Sequence, residues 1–131
     1  MTFEPHAFAT EWAAAWNARD LDTILAHFGE AVSFTSPKAL EVVGQPTVSG
    51  KAALRSYWEK ALTRITTLHF TVVGVIWDPD RRELAILYDR EVNGARDRAL
   101  ELLRIGAGGS VISGEVLYGV IPAARPAAAE T

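Results

Sequence analysis

Within Arg98-Ala-Leu-Glu-Leu-Leu-Arg-Ile105 one carboxylate, Glu101, stands among leucines. A carboxyl group in apolar surroundings loses the solvation of its anion, keeps its proton near neutral pH and can then donate a hydrogen bond. Whether Glu101 has such surroundings depends on the strand face it occupies, and Asn93-Gly94 settles that face. Asn-Gly favours a two-residue hairpin turn, so Val92 faces Ala95. Arg90 then falls opposite Asp97, Tyr88 opposite Ala99, Ile86 opposite Glu101 and Leu84 opposite Leu103. This reading sets Glu101 near Ile86, Leu103 and Trp58. Arg90 either pairs across the hairpin with Asp97 or reaches Glu101 along the diagonal, which would keep Glu101 charged and structural.

The other groups with chemical potential are sparse. His6, His27 and His69 lack the HxH or HxxxH spacing of a metal site, and with no cysteine there are no thiolate ligands, disulfides or thiol catalysis. Neither a metal nor a cofactor is expected. His69 lies on a strand whose register has two solutions. One turns His69, Thr71, Val73 and Val75 inward; the other turns Phe70, Val72 and Ile76 inward. The net charge of -3, with Lys and Arg scattered along the chain, argues against nucleic-acid binding. No apolar run is long enough for a bilayer, and the N-terminal MTFEPHAFATEW has acids where a signal peptide needs bases, so no membrane association and a cytoplasmic location are expected.

The elements that position these residues follow from periodicity. Phe8, Trp12, Ala15 and Trp16 mark a first helix opened by Pro5; Asp20 caps a second, with Leu21, Ile24, Leu25 and Phe28 as its stripe and Gly29 as its stop. AVSFTSP, over residues 31–37, is a short strand leading into an irregular segment through Gly44-Gln-Pro46. A third helix starts near Ser49-Gly50, with Ala53, Leu54, Tyr57, Trp58, Ala61, Leu62 and Ile65 as its stripe and Arg55 and Glu59 as an exposed pair. From Thr67 onward, β-branched runs between turns predict a four-stranded meander. Residues 1–121 form one domain, and the tail over 122–131, without a large apolar side chain, is expected to fray.

Helices followed by an antiparallel meander make an α+β fold in which the helices cover one sheet face. The other face carries Leu87, Leu100 and Leu102 inside a rim of Asp89, Glu91, Arg98 and Arg104, and no helix remains to cover it. A homodimer through that face is expected.

The order of these elements resembles the nuclear transport factor two-like superfamily, and within it SnoaL-like domains and ketosteroid isomerases. The resemblance is carried by WNARDLDTILAHF, by VSFTSP with the later SGKAALRSYW, and by ELLRI followed by a glycine turn and a strand ending in VLYG; it spans roughly residues 8 to 121. It implies a cone-shaped curved antiparallel sheet wrapped around three N-terminal and mid-chain helices, the cystatin-like or SnoaL-like fold. The acid that helps hold the dienolate oxygen in the isomerases falls on Glu101. Their tyrosine donor falls on Trp12, an N–H donor but not a phenol. Their aspartate base falls on Ser36, which cannot collect a proton near neutral pH without a histidine partner. Glu41 in the following segment, or His69 if it faces inward, could replace that base.

The resemblance further implies a cavity walled by Phe28, Trp58, Tyr88 and Tyr118, with Gly114 leaving room on the last strand. Such walls suit a small apolar or aromatic ligand. Two functions follow. One is an isomerase- or cyclase-type enzyme acting on an enolisable substrate through Glu101, Trp12 and His69; the other is a non-catalytic ligand-binding or dimerisation domain that lacks the base.

Overall fold

The computed structural model describes residues 2–123, so residues 124–131 of the tail expected to fray lie outside the described residues. Helices α1 (Pro5–Asn17) and α2 (Leu21–Ala26) lead into strand β1 (Phe28–Thr35), followed by α3 (Pro37–Val43), β2 (Thr47–Ser49) and α4 (Lys51–Thr63). The meander β3 (Leu68–Asp78), β4 (Glu83–Val92), β5 (Ala95–Ile105) and β6 (Val111–Gly119) completes one sheet in the order β2-β1-β6-β5-β4-β3. All neighbouring strands are antiparallel except β1 and β6, which run parallel.

Local chemistry explains these elements and corrects three expectations. The segment after β1 is a helix, not an irregular stretch. Ser36 caps it by accepting a hydrogen bond from the Lys38 amide at 3.1 Å, Pro37 stands in its first turn, and Gly44 ends it at φ +79°. Helix α2 stops at Ala26 rather than Gly29, because Phe28 and Gly29 already belong to β1. Arg55 bonds Asp22 of α2 at 2.8 Å, joining two helices rather than pairing with Glu59 along its own.

The β4–β5 register is the one that Asn93-Gly94 predicts, from Val92 opposite Ala95 to Glu83 opposite Arg104. Asn93 at φ +54° and Gly94 at φ +83° form the turn. The Asn93 side chain also accepts from the Thr66 amide at 2.6 Å and donates to the Arg64 carbonyl at 3.0 Å, tying the hairpin end to the exit of α4. In the β3–β4 pair the solution with Phe70 and Val72 inward holds over the first part of the strand, and of the other solution only the inward facing of Val75 is met. A bulge between Val72 and Gly74 lets Phe70 and Val72 face inward before it, and Val75 and Trp77 after it. Val73 and Ile76 are exposed.

Helices α1 and α4 pack over the inner face, where Leu84, Ile86, Leu103 and Ile105 are buried with Trp12, Leu25 and Leu54. Asn17 stitches α1 to β3 by donating to the Phe70 carbonyl at 3.0 Å and accepting from its amide at 2.7 Å. Gly114 leaves no room for a ligand. A Cβ there would lie 2.8 Å from Leu103 Cδ2 and 3.0 Å from Phe34 Cδ1, so neighbouring side chains already fill the space. Gly114→Ala is therefore expected to cost about 1–3 kcal/mol by overpacking, read as a lower urea midpoint with unchanged slope.

Candidate functional site

The hairpin register puts Tyr88 and Glu101 on the same inner face as diagonal neighbours, and the Tyr88 hydroxyl donates to Glu101 Oε1 at 3.0 Å. Glu101 is 6% exposed. Desolvation raises its pKa from 4.5 to about 8, although the Tyr88 hydrogen bond and the positive charge of Arg90 pull the other way. The side chain is thus a neutral acid at pH 7. Tyr88 is held well above the usual phenol value by burial and by Glu101, and burial raises Tyr57 as well as Tyr118, the latter to about 12. All three phenols remain protonated donors through the neutral range.

Arg90 bonds both carboxylate oxygens of Asp97 through Nη1, at 3.1 and 3.0 Å, and makes the cross-hairpin pair rather than the diagonal one to Glu101. Its guanidinium lies 4.7 Å from the Tyr118 ring centre, and Lys38 Nζ lies 5.6 Å from the same centre. At this end of the cone an inner cavity of about 90 Å³ is walled by Trp16, Phe34, Tyr57, Trp58, Phe70, Tyr88, Val116 and Tyr118, with Lys38 and Arg90 at its edge. A larger depression of about 340 Å³ shares Lys38, Ala61, Ile65, Arg90 and Val92 with it and adds Glu41, Arg64 and Asp97.

Of the residues expected at the site, Trp58, Tyr88 and Tyr118 line the inner cavity. Phe28 is buried behind it, edge-on to Trp58 at 5.3 Å. Ser36 is buried at the α3 cap, and its hydroxyl bears on the Tyr57 and Tyr118 phenols, opposing part of the rise in their pKa values. Trp12 packs edge-on to Tyr88 at 4.8 Å and stacks on Phe70 at 5.6 Å, and among the described residues its indole makes no hydrogen bond to Glu101. His69 is exposed on the outer face opposite Glu91, because the inward register before the bulge belongs to Phe70 and Val72. It cannot serve the cavity as a base. Glu41 stands at the outer depression, 3.7 Å from Lys38 Nζ, and does not line the inner cavity. Tyr57 and Arg90 also line the cavity, whereas the sequence alone presents them as a helix stripe residue and an ion-pair member. The signal was present in the sequence: all three tyrosines of the chain sit at inward positions. Among the described residues, no three histidine or carboxylate side chains cluster as a metal site requires.

The chain belongs to the SnoaL-like domain family, whose profile matches residues 9–112. A SnoaL-like protein of unknown function from Burkholderia thailandensis is 30% identical with a TM-score of 0.77, the match covering 88% of this chain and 99% of that one. TerC co-crystallised with polyporic acid is similar at 17% identity and TM-score 0.73, over 88% of this chain and 92% of that one. A protein with a ketosteroid isomerase-like fold from Catenulispora acidiphila, in complex with trimethylamine, is similar at 19% identity and TM-score 0.68, over 88% of each chain. The last two likenesses concern the fold alone. No curated protein matches the chain. Among the described residues no helix is long and apolar enough to cross a membrane.

Proposed function

We propose that this SnoaL-like domain binds a small, flat, largely apolar molecule carrying a keto or phenolic oxygen, in the cytoplasm, with Tyr88 as donor to that oxygen and neutral Glu101 behind it. The observation that carries this reading is the buried Tyr88–Glu101 hydrogen bond beside a cavity whose wall, among the described residues, holds no histidine or carboxylate. A neutral Glu101 can donate to the Tyr88 oxygen, which frees the Tyr88 proton to turn toward a ligand. Ser36, at the position of the isomerases' base, is committed to the α3 cap, so binding is favoured over proton transfer.

The test pairs p-cresol with p-xylene, followed by the fluorescence of Trp16 and Trp58. Both bind, p-cresol more tightly, and Tyr88→Phe weakens p-cresol by about 0.5–1.5 kcal/mol while leaving p-xylene unchanged. Equal weakening of both probes would reject Tyr88 as the donor.

The raised pKa of Glu101 favours a second reading, isomerase- or cyclase-type chemistry in which the Tyr88–Glu101 pair polarises a carbonyl. With solvent water taking the α-proton, it requires protein-accelerated exchange of the α-protons of a cyclic ketone in deuterium oxide, lost in Tyr88→Phe. No acceleration over buffer leaves binding alone.

The homodimer is part of the proposal. Leu87, Leu100 and Leu102 are half-buried on the outer face, Leu117 beside Leu100 is 48% exposed, and the Asp89–Arg98 pair at 2.7 Å borders the patch. Sedimentation at micromolar concentration is expected to give a dimer that Leu100→Glu converts to monomer. A wild-type monomer would remove the partner from the account.

A further inference from the structure

At the rim shared by the inner cavity and the outer depression, positive groups outnumber the carboxylates able to satisfy them. The depression is lined by Lys38, Arg64 and Arg90 against Glu41 and Asp97. Asp97 engages only Nη1 of Arg90. Among the described residues Arg90 Nε and Nη2 make no hydrogen bond to a protein acceptor, and the side chain as a whole is 10% exposed. The guanidinium carbon lies over the Tyr118 ring, 4.7 Å from its centre. Arg64 is exposed and has no carboxylate partner among the described residues. The Lys38–Glu41 pair is long, at 3.7 Å, with side chains 45% and 65% exposed, so a ligand can displace Glu41 at little cost.

We propose that Arg90, Lys38 and Arg64 form an anion subsite at the mouth of the cone, and that the ligand is an aromatic or cyclic apolar carboxylate with its ring inward and its carboxylate at this rim. The inference rests on the reading of the cone as a small-molecule site and names the class of molecule that fills it. The inner cavity, at about 90 Å³, is smaller than the roughly 150 Å³ that holds a benzene ring. A ring therefore enters only part way, and a carboxylate up to three bonds from it reaches the rim. A cationic ligand would find aromatic faces here too, but Lys38 and Arg90 already lie over Tyr118 and repel it.

The full chain is titrated with trans-cinnamate, its methyl ester and phenethyltrimethylammonium. Cinnamate is expected to bind about tenfold or more tightly than the ester at low salt, with added salt weakening cinnamate alone. The double variant Lys38→Gln, Arg64→Gln is expected to bring cinnamate close to the ester and leave the ester unchanged. If cinnamate and ester bind alike in the wild type, or if the double variant preserves their ratio, the anion subsite is rejected while the cone remains a ligand site. Tighter binding of the ammonium probe overturns the sign of the subsite. If none of the three binds, the reading of the cone as a ligand site fails and the subsite with it.

Discussion

Glu101→Gln is expected to abolish a fall in stability that the wild-type protein suffers between about pH 4.5 and pH 8. In the unfolded chain Glu101 ionises near its ordinary value of 4.5; in the folded protein it holds its proton up to about 8. Between those values the folded state binds more protons than the unfolded one, so raising the pH favours unfolding. The stabilisation is complete below the lower value and has been lost above the upper one. At about 1.4 kcal/mol per tenfold change in proton affinity, the gap sets a ceiling of about 5 kcal/mol, which local relaxation and water entry reduce. Glutamine keeps the shape and still accepts the Tyr88 hydrogen bond, yet has no anion to desolvate. Urea unfolding at about pH 4 and about pH 9 checks this: the variant matches the wild type at the lower pH and exceeds it at the higher. A wild-type profile parallel to that of the variant would refute the desolvated acid.

Trp12→Ala is expected to cost about 3–5 kcal/mol, and Trp12→Phe considerably less. The indole is 1% exposed and contacts two rings of the site, Phe70 and Tyr88, through its face and edge rather than through a hydrogen bond. Phenylalanine preserves much of that packing and keeps Tyr88 aimed at Glu101, so p-cresol affinity survives in Trp12→Phe. Were Trp12 instead a donor to the ligand, as the isomerase resemblance implies, Trp12→Phe would weaken p-cresol while sparing p-xylene. Denaturation midpoints and the two probe titrations on both variants separate these roles.

Glu101 was legible because its environment depends on one local signal. Asn93-Gly94 dictates a turn, the turn dictates the register, and the strand period of two carries the consequence to Tyr88, Ala99 and Glu101. Where the outcome depends on a balance between distant parts, the sequence is less informative. The β3 bulge switches the inward positions from Phe70 and Val72 to Val75 and Trp77, and the apolar alternation of the strand does not mark where that switch falls, so the sequence alone leaves His69 undecided. The parallel pairing of β1 with β6 joins segments from opposite ends of the chain and leaves no local mark. Helix α3 is the opposite case: Ser36, Pro37 and Gly44 signal its start and end, but the helix is too short for an apolar period to mark it. The convergence of Tyr57, Tyr88 and Tyr118 on one cavity arises from a helix and two strands together, which no single periodicity reveals.

The carboxyl of Glu101 can be observed directly, by selective carbon-13 labelling of glutamate and assignment through the loss of one signal in Glu101→Gln. A titration midpoint near 8 is the result this account predicts, and a midpoint near 4.5 would contradict it, since an ionised Glu101 could neither donate to Tyr88 nor release the Tyr88 proton to a ligand.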